Sequence, residues 1–227
     1  MQYTRDVICK IVIRNFDKRM LSIETIITFF FASILLALAP GPDNIFVLTQ
    51  SAIKGRAAGL IVMLGLCTGL IVHSCAVAFG IAVIFQTSLL AFSILKYAGA
   101  LYLLYLAGKA FTSSPEQIGT ESSDGPRFLQ LYIRGIIMNI TNPKVSIFFL
   151  AFLPQFADPD RGPIWLQMLM LGGLFIVSTC IVFGGVAIFA GTLGQIFRQS
   201  SRVQSILHKI AGTVFLGLAL KLATVKR

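Results

Sequence analysis

The sequence predicts an all-α membrane protein of six transmembrane helices, arranged as two inverted three-helix repeats with proline-broken first and fourth helices. Three observations predict it. Hydrophobic residues make up 56% of the 227 residues and charged residues only 12%, too apolar for an ordinary soluble domain. Ala57 to Leu95 and Gly162 to Phe197 contain no Asp, Glu, Lys or Arg, and a bilayer crossing needs about 20 apolar residues. Two short polar knots, Ala39-Pro40-Gly41-Pro42-Asp43-Asn44 and Asn139-Ile140-Thr141-Asn142-Pro143-Lys144, each lie between long apolar runs.

Residues 1–19 carry five basic and two acidic side chains and no sustained apolar run. A basic stretch, an apolar stretch and Ala37-Leu38-Ala39 together mimic a cleavable signal peptide. Cleavage there would make Pro40 the first residue and destroy the first broken helix. We therefore read residues 1–19 as a loose tail, or Met20 as the true start. The first span is expected at Ile23–Gln50, broken at Pro40–Asp43. Gly59–Phe85 and Leu89–Gly108 complete the first repeat, residues 20–111. Residues 112–130, with Ser113-Ser114-Pro115 and Ser122-Ser123-Asp124-Gly125-Pro126, read as a polar linker. The second repeat, 131–227, holds spans at Ile133–Leu153, Trp165–Ala190 and Val203–Ala223. In the last, Lys209 and Lys221 bracket eleven uncharged residues and can snorkel to the headgroups. Trp165 marks an interface belt.

The repeat shows in the sequence itself. Lys96-Tyr97-Ala98-Gly99 opens the third span and Lys209-Ile210-Ala211-Gly212 the sixth, 54 residues after Pro42 and 66 after Pro143. Both halves run in the order broken span, Gly-rich span, Lys-x-Ala-Gly span. Three spans per half is an odd number, so the second copy inserts upside down relative to the first. Gly65, Gly69 and Gly172-Gly173 are read as packing residues that let helix backbones approach closely.

The net charge is +10. With no basic stretch interleaved with exposed aromatics, nucleic acid is not the expected partner; the bases lie at span ends, where they orient a membrane protein. Starting at Met20, eight bases fall on one side and four on the other, which places both termini outside. With residues 1–19 included the second side rises to nine and the bias vanishes. Cys9, Cys67, Cys75 and Cys180 show no CxxC spacing, so a metal or disulfide framework is not expected. No cofactor or metal site is read from the chain.

Proline removes an amide donor and clashes with the preceding turn. In lipid each backbone group freed that way needs a partner, so a break survives only where protein or a water-filled cavity supplies one. Two matched breaks point to a substrate site near the middle of the membrane. Asp43 is the only acidic residue between Glu24 and Glu116, and an ionised Asp at a membrane-helix centre costs ~2.5–3.5 kcal/mol. Two readings stand. Either Pro40–Asp43 is a surface turn with Asp43 capping the next helix, or Pro42 and Asp43 sit at a break inside one span. The second fits Asn44–Ile53, which is amphipathic and too short to cross alone. Helix N-termini at a break favour a carboxylate and C-termini an ammonium, and a free amino acid carries both. Asp43 then takes the ammonium or a proton, while Asn44, Asn139 and Asn142 supply donors and acceptors. Lys144, just past Pro143, either pairs with Asp43 or the substrate carboxylate, or anchors at the headgroups. His73 reads as a hydrogen-bonded core residue or a proton carrier. Lys96 is expected to snorkel, and Gln50 and Gln155 to line or gate the far ends of the broken spans.

These motifs resemble the lysine-exporter and homoserine/threonine-efflux proteins, the LysE/RhtB type. The resemblance runs from Ile23 to Ala223. It is carried by Leu36-Ala37-Leu38-Ala39-Pro40-Gly41-Pro42-Asp43-Asn44, by Gly65, Gly69 and His73, and by Asn139 with Asn142-Pro143-Lys144. Phe148-Phe149-Leu150-Ala151-Phe152-Leu153-Pro154-Gln155-Phe156 and Lys96–Leu106 are also similar to the family. Residues 1–19 have no counterpart. The resemblance implies an inner-membrane exporter of amino acids or close derivatives, using the proton gradient, and leaves the substrate open. The sequence also keeps in view an exporter of another metabolite or a cation, and a thiol-electron carrier. The latter needs a reactive cysteine beside a break, and neither motif has one. An enzyme is not expected, since no HExxH or GxSxG motif occurs. Lipid is the surrounding medium, and a homo-oligomer fits such a protein.

Overall fold

A computed structural model describes residues 20–81, 89–112, 127–199 and 201–224. Every regular element among them is helical. Helix α1 (Ile23–Leu38) starts at Ser22, whose hydroxyl accepts from the Thr25 amide in the manner of an N-cap. It stops at Ala39-Pro40, and the chain bends by 63° before α2 (Pro42–Lys54). Pro42 occupies the first helical position, where a missing amide costs nothing. Gly55, at φ +88°, makes the sharp turn into α3 (Arg56–Ala76), which ends in a π turn at Val77–Ile81. Glycine alone adopts that conformation without strain. After α4 (Leu89–Thr112), α5 (Phe128–Thr141) meets α6 (Pro143–Ile147). Helix α6 continues through a π turn at Phe148–Phe152 and a 3-10 turn at Leu153–Phe156, so Pro143–Phe156 forms one arm bent 50° from α5. Helices α7 (Ile164–Gln199) and α8 (Ser201–Thr224) complete the chain.

The expected tail 1–19 and linker residues 113–126 lie outside the described residues. Helix α5 begins at Phe128, inside the stretch read as linker. Among the described residues, Arg56–Gly80 and Ile164–Ala190 are each long and apolar enough to cross a membrane. The two bent pairs qualify if each counts as one span. Helices α4 and α8 occupy the places of the third and sixth expected spans but do not meet the same measure of length and apolarity, so up to four of the six expected spans are found among the described residues.

Helix α3 packs on α5 and on α7, α7 packs on α1, and α4 pairs with α8; α2 lies against both α3 and α7. Glycines set the closest crossing. A Cβ on Gly65 would run into the Tyr132 carbonyl, and one on Gly135 would lie 2.6 Å from the Val62 carbonyl. Gly172 abuts Ser74, whereas Gly173 faces open space, so only one of that pair serves the packing role. The molecule reverses the pattern of a soluble protein. Phe31, Leu101 and Phe189 are each over 60% exposed, while Asp43, Asn139, Asn142 and Lys144 are buried. An apolar exterior of this extent suits lipid.

Candidate functional site

Each break leaves backbone carbonyls that the helix no longer serves, and the site follows from what fills them. At the first break, Asn44 Nδ2 donates to the Ala37 carbonyl at 2.7 Å. The Ala39 carbonyl accepts from Lys144 Nζ at 3.1 Å, so a side chain from the second break completes the first. The same ammonium stands 3.2 Å from Asp43 Oδ1. At the second break the repair is local. The Asn142 amide donates to the Asn139 carbonyl at 3.1 Å, and Asn142 Oδ1 accepts from the Lys144 amide at 3.0 Å, capping α6.

Asp43 is 3% exposed and Lys144 6%. Removing one partner of such a pair strands the other charge and costs about 3–5 kcal/mol. Gly41 makes the approach possible: a Cβ there would lie 2.8 Å from Asp43 Oδ1 and 3.0 Å from Lys144 Nζ. Beside the pair is a cavity of about 10 Å³, lined by Leu36, Asp43, Leu70, Asn139, Lys144 and Thr179 among others. That is room for roughly one water. Asn44 Oδ1, Asn139 Oδ1 and Asn142 Nδ2 are buried with no hydrogen-bond partner. An unmet buried group costs about 1–3 kcal/mol, so this region holds unused capacity to bind something polar.

The structure therefore brings Pro42, Asp43, Asn44, Asn139, Asn142, Pro143 and Lys144 together. Asp43 is not part of a surface turn, and Lys144 pairs with Asp43 instead of anchoring at headgroups. His73 sits at the margin. Its Nε2 is 3.3 Å from the Asn139 carbonyl and its ring centroid 5.6 Å from that of Phe149, but it does not line the cavity. Gln155 lines a different and larger cavity, and Gln50 is buried in α2. Lys96 is buried against the Tyr97 ring, 4.5 Å from its centroid, and does not reach outward as expected. Sequence reading passed over Thr179. The available signal was Ser178-Thr179-Cys180, three consecutive polar or thiol groups inside an otherwise apolar span. It also could not bring Cys67 and Cys180 together; their sulfurs are 3.6 Å apart as free thiols between α3 and α7.

Residues 34–226 match the LysE type translocator family. The chain belongs to that family. The matched stretch of this translocator contains both breaks and every residue named at the central site. A homoserine/homoserine lactone efflux protein of Salmonella typhimurium is 33% identical over 198 residues, covering 86% of this chain and 93% of the relative. A Vibrio cholerae protein described as an uncharacterized membrane protein is 30% identical over 206 residues, covering 91% of this chain and 100% of the relative. No solved structure matches the translocator significantly.

Proposed function

We propose that the chain is a secondary active exporter of amino acids or close derivatives, working by alternating access in the bacterial cytoplasmic membrane. The observation that carries this reading is the buried Asp43–Lys144 pair, formed where two proline breaks meet. A zwitterion can replace that pair without leaving either charge uncompensated: its ammonium goes to Asp43 and its carboxylate to Lys144. Asn139, which lines the cavity, then offers its unused oxygen to the solute, with the unused groups of Asn44 and Asn142 behind the lining. In the structure the two side chains satisfy each other and the cavity beside them measures about 10 Å³. Solute entry requires the halves to part. Asp43 also carries the coupling proton in this reading, exchanging it against the solute's ammonium. Homoserine and its lactone, named for the Salmonella relative, share the ammonium and not the carboxylate. For such a pair of solutes Asp43 is the common contact.

Helix packing supports two repeats, and the odd number of spans in each half inverts the second. Exchanging the halves turns the α3–α5 contact into the α7–α1 contact, and leaves α3–α7 and α4–α8 as self-paired contacts. Six spans with both termini outside complete this arrangement. The Cys67–Cys180 approach favours a thiol-electron carrier as the second reading, although neither sulfur lines the central cavity. The test is efflux from cells loaded with mixed dipeptides. We expect one or a few amino acids to appear outside, lost in Asp43→Asn and retained in a cysteine-free variant. Export by an inserted Asp43→Asn protein at the unmutated rate would reject the central site.

A further inference from the structure

A second cavity lies off the central pair, with a volume of about 320 Å³, and its walls include Glu24, Thr28, Phe152, Gln155, Phe156 and Lys221. Small-molecule sites begin at about this size. Two helical segments run from this vestibule to the centre. On α1, Glu24 and Thr28 line the vestibule while Leu36 and Ala37 line the central cavity. On the Pro143–Phe156 arm, Lys144 and Val145 line the central cavity while Phe152 and Gln155 line the vestibule. The eight residue steps from Thr28 to Leu36 correspond to about 12 Å of helix.

Aromatic rings fill the interval on both segments. Phe29, Phe148 and Phe152 are buried to within 1%. Ring centroids are 5.0 Å apart for Phe156 and Phe152, 4.8 Å for Phe152 and Phe148, and 5.2 Å for Phe148 and Phe175. Phe29 closes on Phe156 at 5.1 Å and on Phe148 at 5.9 Å. The chain of rings is continuous from the vestibule wall, at Phe152 and Phe156, to the central cavity wall at Phe175. Such rings exclude a charged solute unless they turn aside.

The vestibule's chemistry suits a zwitterion. Asp158 is occupied by Arg161 at 3.1 Å. Glu24 makes no ion pair among the described residues, while the Lys221 ammonium stands over the Phe156 ring, 4.8 Å from its centroid. Gln155 Oε1 is buried and accepts no hydrogen bond.

We propose that this vestibule is a second binding station for a small zwitterion, with Glu24 taking the ammonium and Lys221 the carboxylate, and that Phe29, Phe148 and Phe152 form the barrier between it and the Asp43–Lys144 pair. The proposal rests on the export reading above and adds a path to it.

The test uses cysteine-free protein in sealed vesicles, carrying either Thr28→Cys or Thr179→Cys. A membrane-impermeant sulfonate methanethiosulfonate is applied to the face from which Thr28→Cys reacts. From that face Thr179→Cys is expected to react at least tenfold more slowly. Adding Phe152→Ala or, separately, Phe148→Ala should raise its rate at least fivefold. Equal rates with all rings present, or continued protection of Thr179→Cys after either ring is removed, would overturn the barrier. L-Homoserine, L-threonine or L-lysine at millimolar concentration should slow Thr28→Cys labelling at least threefold, and Glu24→Gln or Lys221→Met should erase that slowing. No slowing by any of the three overturns the station. Export is measured in the same vesicles. Failed labelling with export intact rejects the path alone, and failed export with the labelling pattern intact rejects the export reading alone.

Discussion

The two breaks look alike in sequence and are repaired differently. Asn142 caps α6 with its own side chain and passes its amide to Asn139, so the second break is largely closed within its own segment. The first break has Gly41 at the cap position, with no side chain to offer, and bends more, 63° against 50°. Its Ala39 carbonyl and Asp43 carboxylate are both served by Lys144, 101 residues after Asp43. One break is therefore self-sufficient and the other is held by its counterpart. In the export reading proposed above, the borrowed contact is the one that can be released while the local one keeps its shape.

Substitutions can break this contrast. Lys144→Ala carries the largest expected effect. It leaves Asp43 buried without a counter-charge and should destabilise the protein by about 3–5 kcal/mol, read as a fall in midpoint of thermal unfolding in detergent. Adding Asp43→Asn to it should restore most of that midpoint without restoring export. An unchanged midpoint in Lys144→Ala would mean the pair contributes nothing to stability. Pro143→Ala comes next: it returns an amide donor at the second break, and we expect export to be lost while the protein still inserts. Gly65→Ala tests the packing beneath both breaks. Overfilling the α3–α5 crossing should cost about 1–3 kcal/mol by the same unfolding measurement.

Asn44→Ala and Asn142→Ala, compared side by side, sharpen the contrast between the breaks. Asn44→Ala strands the Ala37 carbonyl, at about 1–3 kcal/mol. Asn142→Ala removes a helix cap worth about 1 kcal/mol, and the larger loss should fall on the first break. His73→Phe should be the mildest, at about 1 kcal/mol or less, because the Asn139 carbonyl keeps the Asn142 amide.

The prolines and Asp43 made most of the central site legible in the sequence, since a donor-less residue and a lone acid have few uses inside an apolar run. Lys144 was legible only as a choice between two roles. Selecting one required knowing that Gly41 leaves space for its ammonium. Thr179 and the Cys67–Cys180 approach depend on which face of α7 meets α3, and a nearly uniform apolar helix gives no periodicity to fix that. The vestibule was hidden for another reason. The sequence marks Gln155 as a lining or gating residue, but Glu24 and Lys221 come from two other distant segments and each reads singly as an ordinary residue near a helix end. The glycines were half legible: Gly172 and Gly173 are adjacent in sequence, and only the crossing angle decides which one touches a neighbour.

The lysine that serves the first break also imposes an order on biogenesis. When the ribosome has completed α1 and α2, the Asp43 carboxylate and the Ala39 carbonyl are present, and the residue that neutralises them has yet to be made. The first break therefore cannot reach its finished form within the first half alone, because both contacts of its lysine partner wait on α6. The polar interior of the first half is thus completed last, by one ammonium group from the second.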